Sequence, residues 1–329
     1  MKQPALRIAL VLATAFAATA AFTTSAATPA SAQDWPTRPI RIIVGFGPGS
    51  VADVAARVVG NRMGQTLGQQ IVVENRTGAG SNLGAEYVAR APRDGYTLFM
   101  ATIANTINPA LAPLPFDFAK DLAPITLVAT SPQLLLVHPS LGVNSVQELI
   151  ALAKRRPAPI NYAHSGVGTL SNLSGLLLNG MAGITLVGVP YPGSAQGVND
   201  VLAGRVPVMF SSFATVQPHL AAGKLKALAA TQLKRLPQLP DVPTMEEAGV
   251  PGYDAAVWMG LLAPAGTPGA IIEKLAQAAN EALRTKEVLT PLRNAGFEAG
   301  GGSPEAFGRT IDGELKKWAG VAAAAGLKR

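Results

Sequence analysis

"IIVGFGPGSVAD", Ile42–Asp53, joins an apolar run to a glycine-rich turn and then to the start of a helical pattern. A buried strand that empties into such a turn presents backbone N–H groups at a helix N-terminus, where anions are stabilised. The spacing Gly45-x-Gly47-x-x-Ser50 comes close to the dinucleotide fingerprint, and Glu74 ends the next apolar run about where a ribose-binding carboxylate would stand. Ser50 in place of the third glycine and Pro48 inside the turn count against a dinucleotide. An ordinary strand-to-helix turn has the same composition, because glycine supplies backbone freedom.

Outward from this stretch, short apolar runs alternate with longer helical patterns. The strands expected are 40–46, 71–74, 96–101, 133–138, 160–164, 186–191, 206–211, 225–231 and 256–263. Ile42-Ile43-Val44 and Ile71-Val72-Val73 lack alternation, which predicts strands buried on both faces in a parallel sheet. Helices are expected over 51–67, 82–91, 145–155, 171–179, 196–203 and 268–283. The class is therefore α/β. Pro/Gly-rich turns at 111–115 and 237–251, with the strand-turn-helix pattern restarting at Ile160, predict two lobes. Lobe 1 comprises 33–131 plus 252–329, lobe 2 comprises 132–251, and the stretches 125–138 and 256–263 cross between them.

Lys2 and Arg7 precede an apolar run from Ile8 to Phe22, and Ala30-Ser31-Ala32 follows, which predicts a signal peptide (residues 1–32) cleaved after Ala32 and a periplasmic protein. The absence of cysteine excludes a lipid anchor at that site, disulfides, thiolate metal sites and a cysteine nucleophile. The net charge of +7 loses two units with Lys2 and Arg7, and the remaining basic residues are scattered. With aromatic residues at 5%, the stacking platforms and basic grooves of nucleic-acid binders are missing.

A second cradle, "NYAHSGVGTLSNL" (Asn161–Leu173), again runs from a strand through a Gly/Ser/Thr turn into a helix, and "TGAGSN" (Thr77–Asn82) makes a third. No Arg or Lys occurs in 45–52, 101–109, 164–172 or 191–195, so helix ends and neutral donors would have to hold any anion there. The three histidines, His138, His164 and His219, form no metal-ligand spacing. His164 adjoins Ser165, but neighbours in extended chain point to opposite faces and no nucleophile elbow surrounds the serine. Asp53, three residues after Ser50, reads as the acid of a capping box or as a residue that orients the loop toward a ligand.

The segments "WPTRPIRIIVGFGPGSVADVAARVV", "IVVENRTGAGSNLGAEYVARAPRDGYTL", "HSGVGTLSNLSGLLL", "VPYPGSAQGVNDVLAGRV" and "PDVPTMEEAGVPGYD" closely resemble the substrate-binding proteins of tripartite tricarboxylate transporters, the Bug-type receptors, over nearly the whole chain after residue 32. The resemblance implies a type II periplasmic binding protein with two α/β lobes, a hinge and a central ligand cleft. It implies a monomeric receptor without cofactor, metal or nucleic-acid partner, which captures a small carboxylate and delivers it to a permease of one large and one small subunit. Carried over residue by residue, the pocket comprises Phe46, Gly47, Pro48, Gly49 and Ser50 with Asp53 behind them, and Thr102, Ala104, Asn105 and Thr106. From lobe 2 come Ser165, Gly166, Gly168, Thr169 and Asn172, then Tyr191, Gly193, Ser194 and Ser211. Ser50 departs from a usual glycine, Asn172 from a common histidine, and Ser211 from a frequent aspartate, the last favouring a ligand without an ammonium group. An exported hydrolase using the same cleft, and a receptor feeding a membrane sensor, remain as alternatives.

Overall fold

β1 (Ile40–Val44) buries Ile40, Ile42, Ile43 and Val44 completely, so both faces of the strand are covered, as its unbroken apolar run requires. This computed structural model describes residues 35–327, and the expected signal peptide with its cleavage after Ala32 lies outside them. After β1 come α1 (Val51–Leu67), β2 (Ile71–Asn75), α2 (Asn82–Ala89), β3 (Thr97–Thr102) and α3 (Ala104–Leu111). The chain continues through β4 (Leu122–Val137), α4 (Val146–Arg155), β5 (Ile160–His164), α5 (Leu170–Ala182), β6 (Leu186–Pro190), α6 (Ser194–Leu202), β7 (Val208–Ser212), α7 (Phe213–Ala221) and β8 (Lys226–Ala230). It ends with β9 (Ala256–Pro264), α8 (Gly269–Ala282), α9 (Lys286–Asn294), β10 (Glu298–Ala299) and α10 (Pro304–Ala324).

β1 pairs in parallel with both β2 and β3. β2 is the sheet edge, and Val72 is 41% exposed there. This corrects the expectation that Ile71-Val72-Val73 is buried on both faces: an apolar run alone does not distinguish a central strand from an edge covered on one side.

The long strand β4 is the spine. Leu122 to Pro132 pair antiparallel with β9, whereas Gln133 to Val137 pair with β7 and, from Leu134 on, with β8. The strand thus runs from one sheet region, lobe 1, into a second, lobe 2. Thr231 pins the crossing. Its Oγ1 lies 2.6 Å from the Ala255 carbonyl oxygen and accepts from the Gln133 N–H at 3.0 Å, so the end of β8 is tied to both crossing strands.

Strand directions orient the two lobes. β3 and β4 are both antiparallel to β9, so β1, β3 and β4 run the same way, toward lobe 2. β7 is antiparallel to β4 and parallel to β5, so β5 and β7 run back toward lobe 1. The carboxyl ends of β1 and β3 therefore face those of β5 and β7. On one face of lobe 1, α1 packs on α8 and α9; on the other, α10 packs on α3, β4 and α5.

Four helices, α3, α7, α9 and α10, were not delimited by the sequence. Three of them carry an internal proline, Pro109, Pro218 and Pro291. Each proline removes one intrahelical hydrogen bond, yet these short helices hold because they bury Ile107, Val216, and Val288 with Leu292 respectively. No helix among the described residues is long and apolar enough to cross a membrane.

Candidate functional site

In lobe 1, β1 lies between β2 and β3; in lobe 2, β5 lies between β6 and β7. In both, the chain leaves the middle strand toward one neighbour and returns on the other side, which opens a crevice at the strand carboxyl ends, the usual place for a ligand in open α/β sheets. The loops bordering the crevices are 45–50 and 103 in lobe 1, and 165–169 with the β7–α7 junction in lobe 2. These loops carry nine of the nineteen residues singled out in the sequence.

The first cradle is held from behind by charge. Phe46 and Gly47 are half-buried, and Pro48 and Gly49 are exposed, with Gly49 at φ 79° to make the turn. Asp53 is buried, and its Oδ2 accepts from the Gly49 N–H at 2.9 Å and from Arg57 Nε at 3.0 Å. Its Oδ1 accepts from Arg57 Nη2 and Asn75 Nδ2, both at 2.9 Å, and Asn75 Nδ2 also donates to the Phe46 carbonyl. Burial alone would raise the Asp53 carboxyl, but the hydrogen bonds from Arg57, Gly49 and Asn75 outweigh it and hold the group below its ordinary value. Ser50 Oγ caps α1 by accepting from the Asp53 N–H at 3.3 Å. The reciprocal bond of a capping box, to the Ser50 N–H, is replaced by the bond to Gly49 N, so Asp53 shapes the loop. Arg57, four residues beyond Asp53 on one helix face, was legible in principle from that spacing.

The second cradle is held by neutral groups. Gly166 and Gly168 take φ 126° and 79°. Asn172 Oδ1 accepts from the Gly168 N–H at 3.1 Å, and its Nδ2 donates to the Tyr162 hydroxyl, which donates in turn to the Asn172 carbonyl. Ser171 Oγ accepts from the Ser165 N–H and stands 3.0 Å from Ser165 Oγ and 3.1 Å from Thr169 Oγ1. Thr169 Oγ1 donates to the Gly166 carbonyl. His164 Nδ1 lies 3.0 Å from the Gly166 oxygen, and burial pushes the imidazole below its ordinary pKa, with that backbone bond opposing. Ser165 Oγ is thus engaged with Ser171, while His164 turns to backbone. Of the next loop, Gly193 is half-buried and Ser194 exposed at the start of α6. Tyr191 donates its hydroxyl to Asp200 at 2.7 Å, and burial, then that bond, pushes it up to about 12.

The remaining candidates lie at the carboxyl ends of β3 and β7 and in the first turn of α3. Ala104 is half-buried, and Thr106 is buried with its hydroxyl donating to the Ile103 carbonyl. Thr102 Oγ1, Asn105 Nδ2 and Ser211 Oγ are buried polar atoms without a hydrogen-bond partner, as are Ser81 Oγ, Trp258 Nε1 and Glu298 Oε1. Buried polar groups are ordinarily paired, and here three orphans lie at or just beyond the carboxyl ends of β3 and β7, strands of two lobes whose ends face one another. Sequence reading missed Trp258 and the supporting Asn75 and Tyr162; Ser171 lies in the second cradle and Ser81 in the third, though neither was placed in the pocket. The two lobes also touch: a Cβ on Gly168 would come within 2.6 Å of Leu111 Cδ1 at the end of α3. No group of three His, Cys, Asp or Glu side chains able to hold a metal ion occurs among the described residues.

Two α/β lobes that share crossing strands around facing cradles define a two-lobed periplasmic binding-protein fold. The chain belongs to the tripartite tricarboxylate transporter family of receptors, whose TctC model matches residues 55–327. It is 35% identical to protein BugT of Bordetella pertussis over 309 residues, 93% of this chain and 95% of BugT. Rpa4515 of R. palustris, in a structure with adipate, is 38% identical and superposes with a TM-score of 0.69 over 89% of this chain and 99% of its own. A TctC solute-binding protein from Polaromonas, in a structure with no ligand, is 25% identical but superposes with a TM-score of 0.82 over 88% of this chain and 99% of its own.

Proposed function

We propose that this chain is a periplasmic receptor, exported by the signal peptide read in residues 1–32, that captures a small carboxylate between its lobes and hands it to a membrane permease of one large and one small subunit. The observation that carries the reading is a set of buried, unpartnered polar atoms, Thr102 Oγ1 on β3, Asn105 Nδ2 in the first turn of α3 and Ser211 Oγ on β7, from two lobes whose strand carboxyl ends face one another. A carboxylate oxygen accepts hydrogen bonds and would satisfy such donors without an ion pair, in keeping with loops that lack Arg and Lys. A few charge-assisted bonds at about 1.5–3 kcal/mol each suffice for micromolar affinity, about −8 kcal/mol, after association costs. The adipate bound by Rpa4515 is a compound of this class.

The lobes are taken as 33–131 plus 252–329 and 132–251, a division supported by β4 exchanging β9 for β7 as its partner after Pro132. The lobes are taken to close on the ligand, since cradles on two lobes can both reach one small acid only across a narrowed cleft. A hydrolase reading needs a base on Ser165, and the serine's hydroxyl is paired with Ser171 instead.

A thermal-shift screen of mono-, di- and tricarboxylates tests the function. One of these acids should raise the melting temperature, by the equivalent of about 2.7 kcal/mol at a hundred times its Kd, while NAD and ATP should not. Small-angle scattering should show compaction with the same acid. Stabilisation by nucleotides alone would refute the reading.

A further inference from the structure

The turn Ala79–Ser81 ahead of α2 contributes nothing to the pocket as argued so far, yet it is the most strained part of the chain. Ala79 and Ser81 are the two non-glycine residues at positive φ among the described residues, 46° and 81°. Ser81 is 1% exposed and its Oγ has no partner. The hydroxyl sits directly over Gly45, the first residue after β1, where a Cβ would fall 2.0 Å from it. Gly45 is a glycine because Ser81 occupies its side-chain space.

One further unpartnered group lies on the same side. Val44 pairs with Met100 in the parallel register, so Gly45 shares a sheet face with Ala101, while Thr102 turns to the other face. Asn105 Oδ1 accepts from the Thr102 N–H at 3.0 Å, which folds the amide back over the end of β3 and leaves its Nδ2 free. One helical turn on, Asn108 Nδ2 donates to the Gly80 carbonyl at 2.8 Å and to Asn82 Oδ1 at 3.0 Å, so this face of α3 is docked on the Ser81 turn. Ser81 and Asn105 are 1% and 0% exposed.

We propose that Ser81 Oγ and Asn105 Nδ2 form one polar subsite behind Gly45, which takes an oxygen of the bound acid, directly or through one trapped water, and that Ser81 sets which acids fit. Two neutral groups able to donate suit an oxygen with free lone pairs. The left-handed backbone of Ser81 is strain retained for that contact, since glycine would relieve it. The inference rests on the carboxylate reading above.

Calorimetric titration of the mature chain, Ser81→Gly and Ser81→Ala with adipate, succinate and citrate, beside melts without added acid, separates the possibilities. Ser81→Gly should raise the melting temperature of the unliganded protein while weakening the best-bound acid about tenfold. Ser81→Ala should weaken it comparably without the thermal gain. A higher melting temperature with unchanged affinity overturns the subsite, leaving a strained turn of structural origin only. If the unmodified chain binds none of the three acids, the receptor reading fails for them separately, and a high-resolution crystal structure judges the subsite. An oxygen within hydrogen-bond distance of both Ser81 Oγ and Asn105 Nδ2 upholds it, and none there overturns it.

Discussion

The two cradles have similar sequences and opposite supports. The loop at 45–50 hangs on a buried carboxylate, Asp53, that is clamped by Arg57 and Asn75 and grips the Gly49 N–H. The loop at 165–169 hangs on uncharged groups, Ser171, Asn172 and the Tyr162 hydroxyl, beside a buried His164. Glycine-rich turns look alike because they answer the same backbone demand. What stiffens them is written elsewhere: one helical turn downstream for the first, on the preceding strand and following helix for the second. In both, the supporting side chains are saturated by the protein, which leaves loop backbone and the orphaned strand-end groups for a ligand.

The strongest way to break this contrast is Asp53→Ala. It removes the carboxylate from Arg57, which keeps only Asn75 Oδ1, and strands the Gly49 N–H, while Asn75 Nδ2 retains the Phe46 carbonyl. Losing several charge-assisted bonds should destabilise the fold by about 3 kcal/mol, the low end for a broken buried pair because the Arg57 side chain is 50% exposed. Denaturant unfolding measures this, and carboxylate affinity should fall with it. A loss below about 1 kcal/mol would mean that the cradle stands without its ionic support.

Gly168→Ala tests the second cradle and should cost less. A β-carbon at φ 79° is strained by about 1–2 kcal/mol, and it would also press within 2.6 Å of Leu111 Cδ1. Gly166 differs: its Cβ would meet only Thr169 Cγ2, at 3.6 Å, so backbone strain is the penalty of an alanine there. Stability measured without ligand should therefore drop similarly in both alanine variants. Scattering-detected closure should be impaired in Gly168→Ala alone. Equal closure in the two would remove the Leu111 contact from the mechanism.

Much of the fold was legible because burial leaves periodic marks. Ile42-Ile43-Val44 announced a strand covered on both faces, and Ser50 followed by Asp53 announced the start of α1. Of the four helices that escaped, α3, α7 and α9 contain prolines whose local penalty is outweighed by packing that only the assembled fold reveals. The family resemblance supplied Thr102, Asn105 and Ser211 as candidates, but not that their side-chain atoms would be left unpaired. The turn holding Ser81 was read as a third cradle, but the serine's own backbone had no signal, since its positive φ follows from its neighbours, Gly45 and the docked Asn108, rather than from its own type.

The smallest expected effect sharpens the contrast by pH. Asp53 is held below its ordinary value in the folded protein, so its contribution is complete above the ordinary carboxylate pKa near 3.9 and is lost only as pH falls through the lower folded value. His164 is also held low, but for the opposite reason: burial disfavours its charged form. Below its ordinary pKa near 6.5 the unfolded chain takes up a proton that the folded chain resists, so stability declines as pH falls from there toward the folded value. Mild acid should therefore loosen the second cradle in a range where the first is untouched. His164→Asn keeps a side chain able to reach the Gly166 backbone but cannot titrate, and it should flatten the dependence of melting temperature on pH between about 7 and 5. Asp53→Asn should leave that slope in place while lowering stability throughout. An unchanged slope in His164→Asn would assign the mild-acid response to some other group and erase this difference between the cradles.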